Sequence, residues 1–103
     1  MIDAVEIVIS SGSMNQFSAF ISYLKKVCFL NKKKHEVDDA FLDEITNTIA
    51  SWEEEYGTKP GIDVEEFLIT VYSQNKKYNY HGKGVFPKNY TRLKEILGEL
   101  NDK

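Results

Sequence analysis

Residues 37–56, VDDAFLDEITNTIASWEEEY, read as one amphipathic helix. Val37, Phe41, Ile45, Ile49, Trp52 and Tyr56 recur at spacings of three and four, with Leu42 beside them. That is the period of an α-helix with a single apolar stripe. At ~100° per residue, Asp39, Asp43 and Glu54 project from the opposite side. Glu44 and Glu55 lie on one flank and Glu53 on the other, and Asp38 stands beside Asp39. The stripe requires a core. The acids form either a solvated row or a docking face for something positive.

Upstream, Ser13 and Gln16 have the layout of a capping box opening a helix from Met14 to about Leu30. Phe17, Ile21, Leu24 and Cys28 form its central row, widened by Phe20, Tyr23, Val27 and Leu30. Before it, Asp3 as N-cap, Glu6 at the third helical position and the Ile2/Ile7 staple favour a short helix over 3–10. The β-branched Val5, Ile7, Val8 and Ile9 argue for a strand there instead. Downstream, Gly57 ends the acidic helix and Thr58-Lys59-Pro60-Gly61 makes a turn. Ile62, Asp63, Glu66 and Phe67 repeat the staple and cap. Val64, Phe67, Leu68, Val71 and Tyr72 then give a helical stripe to about Lys76. Residues 77–88, with two glycines and a proline, read as a loop or a short hairpin near 78–86. Tyr90, Leu93, Ile96, Leu97 and Leu100 space a last helix, in which a buried close approach would explain Gly98. The expected fold is all-α: one domain, residues 1–103, built as a small antiparallel bundle of about five helices.

The 103 residues suffice for one modest core. The single cysteine, Cys28, excludes an intrachain disulfide and reads as a small core hydrophobe. The N-terminus lacks a basic lead and a long apolar run, so neither a signal peptide nor a membrane span is expected, and the location is cytoplasmic. His35, His81 and Cys28 are spaced without a metal-binding motif, and Gly82-Lys83-Gly84 lacks the spacing of a phosphate loop. No metal, no cofactor and no enzymatic activity are expected.

The net charge of −3 conceals a segregation. Residues 35–66 hold eleven acids against Lys59 alone, whereas residues 67–94 hold six cations and no acid. The first segment predicts a basic protein partner, docked on Asp38, Asp39, Asp43, Glu44, Glu53, Glu54 and Glu55 by charge complementarity. The second offers an alternative, a small phage or plasmid regulator that binds nucleic acid through segment 76–94, with Lys76, Lys77, Tyr78, Tyr80, Lys83, Lys88 and Arg92. There cations would meet phosphates and rings would stack on bases. The scarcity of arginine and the acidic pI near 5.4 weigh against that alternative.

Met1-Ile2-Asp3, Ser10 and the following segment with Phe17 resemble the opening of colicin D-type immunity proteins, and the closing Leu93-Lys94-Glu95-Ile96-Leu97 is similar to their last helix. The resemblance covers about twenty residues, and the segment 77–88 has no counterpart. It implies a helical inhibitor that covers the active site of a toxin nuclease, as immunity proteins of contact-dependent inhibition systems do. Acidic side chains would stand in for RNA phosphates. It fixes no individual contact residue.

Overall fold

The computed structural model describes residues 2–11, 16–58 and 64–101. The chain is not a helical bundle. Among the described residues, seven strands form one mixed sheet and two helices accompany it. The elements are β1 (Ala4–Ser10), β2 (Gln16–Ser22), β3 (Val27–Leu30), β4 (Lys33–Glu36), α1 (Asp39–Ile49), β5 (Glu55–Thr58), β6 (Glu66–Ser73), β7 (Lys76–Lys83) and α2 (Tyr90–Asn101). Across the sheet the order is β4-β3-β2-β1-β6-β7-β5. Every pairing is antiparallel except β5 with β7, which is parallel. None of the described helices is long and apolar enough to cross a membrane.

The first helix expected is a strand because its apolar residues alternate. Val5, Ile7 and Ile9 are buried, whereas Glu6 between them is exposed. The capping chemistry of Asp3 is real but points elsewhere: its Oδ2 accepts the backbone N–H of Gln74, 3.0 Å away in the β6–β7 turn. The second helix expected is a hairpin, β2–β3. Ala19, Ile21, Cys28 and Leu30 face the core, while Phe20 and Phe29 stand on the opposite side. Apolar residues on both faces of two strands imitate a wide helical arc. The β6 stripe fails in the same way: Phe67, Ile69 and Val71 are buried, and Leu68 between them is 43% exposed. The Ser13 box, the Thr58–Gly61 turn and the Ile62/Asp63 cap fall at least partly on residues 12–15 and 59–63, outside the described residues.

Two tight hairpin turns set the registers. Asn31 and Lys32 join β3 to β4 at φ 48° and 73°; Gln74 and Asn75 join β6 to β7 at φ 50° and 67°. Positive φ at both central residues is what a type I′ turn requires. Asn31 supports its turn further, its Oδ1 accepting the N–H of Ser18 at 3.0 Å.

Both helices cover the same face. Register places Cys28, Ile21, Val5 and Val71 in one row across it and Leu30, Ala19, Ile7 and Ile69 in the next. Leu42, Ile45 and Ile49 of α1, with Tyr90, Leu93, Ile96, Leu97 and Leu100 of α2, complete one core. Burying each such aliphatic side chain contributes ~1.5–3 kcal/mol. Helix α1 is shorter than the stretch 37–56. Asp38 caps it by accepting the Phe41 N–H at 2.9 Å, and the helix stops at Ile49. Trp52 and Tyr56 stay apolar partners without being helical. They join Phe67, Phe86 and Tyr90 in a ring cluster with Trp52–Phe67 at 6.0 Å, Tyr56–Phe67 at 6.2 Å and Phe67–Tyr90 at 5.1 Å. Trp52 Nε1 donates to the Lys88 carbonyl at 2.9 Å, which fixes the approach to α2. Glu65 anchors the first turns of that helix, accepting from Tyr90 Oη at 2.7 Å and Lys94 Nζ at 3.1 Å. Gly98 is exposed on α2 with no atom within 4 Å of where a Cβ would stand, so no close approach explains it.

Candidate functional site

The seven acids of residues 38–55 do not form one face. Asp38 is committed to the helix cap. Glu44 Oε2 pairs with Arg92 Nη2 at 2.6 Å and ties α1 to α2. Glu53 and Glu54 lie beyond the helix, and the Glu54 carbonyl accepts the His81 N–H at 2.9 Å. Glu55 sits on β5. Only Asp39 and Asp43 remain together, one helical turn apart on α1 and exposed.

These two line a groove of about 680 Å³ between α1 and the ends of β1 and β2. Ile2, Tyr23, Leu24 and Leu42 supply its apolar surface, and Asp3, Asp39 and Asp43 its carboxylates. Tyr23 is held against the helix, its hydroxyl 2.9 Å from Thr46 Oγ1 and 3.3 Å from the Leu42 carbonyl. Burial pushes its pKa up, the Thr46 hydrogen bond opposes this, and the charge of Asp43 adds to the rise. The ring is therefore a neutral, fixed wall. Leu24, in the turn between β2 and β3, is 88% exposed, the most open of the large apolar side chains among the described residues. Lys26 in the same turn sits 3.1 Å from Asp39 Oδ1 and neutralises part of the rim. Three carboxylates against one ammonium leave the groove negative.

The lysines and tyrosines of the alternative set are divided by the strand they share. Tyr78 and Tyr80 alternate onto the helix side of β7, opposite Val71 and Ile69. Lys77 and Lys83 alternate onto the other side, with Lys77 Nζ 6.0 Å from the centre of the Tyr72 ring. Lys76 lies at the strand start, Lys88 is exposed before α2, and Arg92 is engaged by Glu44, Glu95 and Glu99. Lys77 and Lys83 thus face away from the two rings along β7, and Lys76, opposite Ser73 at the strand start, is the lysine of the strand on the tyrosine side.

Two juxtapositions were not legible from spacing. Cys28 and His35 stand opposite each other on β3 and β4. Cys28 is fully buried and its thiol is pushed up to about 11 by burial, so it stays protonated and out of reach of a substrate. Among the described residues no cluster of three or more His, Cys, Asp or Glu is placed to hold a metal ion. On the helix-free face, His81 lies between two carboxylates, Nε2 2.8 Å from Glu66 and Nδ1 3.3 Å from Glu55. The Glu66 hydrogen bond is the main reason its pKa is raised; desolvation opposes, and Glu55 adds to the rise. Glu55 is lowered in turn, first by the Gly57 N–H and then by His81. With both ring nitrogens engaged by acceptors, this histidine fastens β5 to β6 and has no nitrogen left to take a proton from a substrate.

Comparison with family models, with curated proteins and with solved structures found no match.

Proposed function

We propose that this chain is a non-enzymatic inhibitor that binds a basic protein through the groove beside α1. The observation that carries the reading is the position of Leu24: a fully presented apolar anchor beside Asp39, Asp43 and Asp3. An apolar anchor beside a rim of net negative charge, three carboxylates against Lys26, has the anatomy of a hot spot with a steering rim. A nuclease is the concrete partner class, because a site built for phosphates is basic and accepts carboxylates in their place. In this reading the chain is an immunity protein acting in the cytoplasm. The helical architecture that the immunity-protein resemblance implied is not the one observed, so the reading rests on the groove alone.

The test is affinity capture from cytoplasmic extract after nuclease treatment, followed by titration of the purified partner. Wild type is expected to retain one basic protein. Leu24→Asp, with thermal stability unchanged, and the Asp39→Asn/Asp43→Asn double variant, folded as wild type by circular dichroism, should each weaken it by tenfold or more. Equal affinity in both variants, or recovery only of nucleic acid, overturns the reading.

A further inference from the structure

The sheet face turned away from the helices carries a row whose order matters. Register sets Glu6 beside Phe20, Phe20 beside Phe29 and Phe29 beside Lys34, across β1, β2, β3 and β4. All four side chains are exposed, the two rings at 40% and 39%. The row reads carboxylate, ring, ring, ammonium. Its two charges lie three strand spacings apart, roughly 14 Å at ~4.8 Å per spacing, too far to pair with each other. Among the described residues neither Glu6 nor Lys34 forms an ion pair.

Such a row is complementary to itself. A second copy, rotated by 180° about an axis lying on this face between β2 and β3 and parallel to them, exchanges β2 with β3 and β1 with β4. Phe20 then lies over Phe29 of the second copy and Glu6 over its Lys34, each contact being made twice. In the neighbouring row the same rotation sets Val27 over Ser22 and Glu36 over Ala4, while Lys25, which borders this face from the β2–β3 turn near the axis, approaches its own counterpart, one like-charge approach set against two Glu6–Lys34 pairs. We propose that this face is the contact surface of a symmetric dimer of this chain, with β2 and β3 of each copy stacked on β3 and β2 of the other. Sheets packed face to face lie ~10 Å apart, a gap that two layers of side chains fill. A nucleic-acid strand fits worse, because its phosphates would cross Glu6 and Glu36. The overlap is four strands wide, roughly 19 Å at the same spacing, below the size of a standard stable interface. The dimer is therefore a weak, reversible one. It leaves the groove beside α1, on the other side of the sheet, open in both copies.

Sedimentation equilibrium of the full chain from ~10 µM to ~1 mM tests this. The average mass of wild type is expected to rise from 11.9 kDa towards twice that value. Lys34→Glu and Glu6→Lys should each raise the dissociation constant about tenfold, since each sets like charges opposite one another. The Lys34→Glu/Glu6→Lys double variant restores opposite signs and should return to within about threefold of wild type. Circular dichroism of the exposed-site variants should match wild type. A wild type that remains monomeric at the top concentration overturns the proposal, as does a double variant at least as weak as the single ones. Binding of a labelled single-stranded oligonucleotide that Phe20→Ala and Lys34→Glu both abolish would assign the face to nucleic acid instead.

Discussion

β4 closes one edge of the sheet and β5 the other, and they are held by different means. β4 follows β3 through a two-residue turn and pairs with it, residue by residue, from Lys33 to Glu36. Its stability is local and lies in the backbone. Lys33 and Lys34 on this short edge discourage further pairing with other chains. β5 arrives from a helix and lies parallel to β7, and its register shifts between Glu55 and Thr58. Its backbone pairing with β7 is irregular, and side-chain chemistry adds to it: the Tyr56 ring against Phe67, and the His81 imidazole between Glu55 and Glu66. An edge made by a hairpin tolerates changes in its side chains. An edge brought from elsewhere depends on them.

The sharpest way to break that contrast is beneath β5. Phe67 is fully buried and touches Trp52, Tyr56, Phe86 and Tyr90, so Phe67→Ala should cost about 3–5 kcal/mol in urea unfolding. That is a large share of what a domain of this size has. Next comes Gly82, where a Cβ would stand 2.7 Å from the Phe67 ring and collide with the Val85 carbonyl. Gly82→Ala should lose about 1–3 kcal/mol, and proteolysis should reach β5 first. If either variant unfolds no more easily than a β4 variant, the contrast fails.

A smaller effect follows from His81. A raised folded pKa means that the native state holds the proton more tightly than the unfolded chain. The stabilisation is complete below the ordinary value near 6.5 and is lost as pH rises through the folded value. Wild type should therefore lose a little stability as pH rises above the ordinary histidine value, the exposure of the pair keeping the effect small. His81→Gln should remove that slope in denaturant titrations at several pH values; a slope of the opposite sign would contradict the clasp. The smallest expected change is at the other edge. Lys33→Val should leave stability within ~0.5 kcal/mol, while light scattering reveals faster aggregation.

The two helices that survive from the sequence reading are those whose apolar period is supported by length, Leu42–Ile45–Ile49 and Leu93–Ile96–Leu97–Leu100. The strands were obscured for physical reasons. Phe20, Phe29 and Leu68 are apolar on a face without a covering layer, so alternation was hidden. The hairpin turns use Asn31-Lys32 and Gln74-Asn75 in place of glycine. The signal available, β-branched Val5, Ile7, Ile9, Ile69, Thr70 and Val71, lost to cap patterns that a carboxylate satisfies equally well in a strand. In the groove, Asp39 and Asp43 were readable because they lie four residues apart on one helix. Leu24 and Asp3 join them only through the fold of β1 and β2, which spacing along the chain does not encode.

The place of β1 in the middle of the sheet sets an order of events during synthesis. One of its partners, β2, follows within a few residues, whereas its other partner, β6, pairs Val71 with Val5 across more than half of the chain. The first four strands can meander together early, leaving the far side of β1 an open row of amide and carbonyl groups until the β6–β7 hairpin is made. The nascent chain then presents most unpaired backbone in the interval before Lys83 emerges and that hairpin docks.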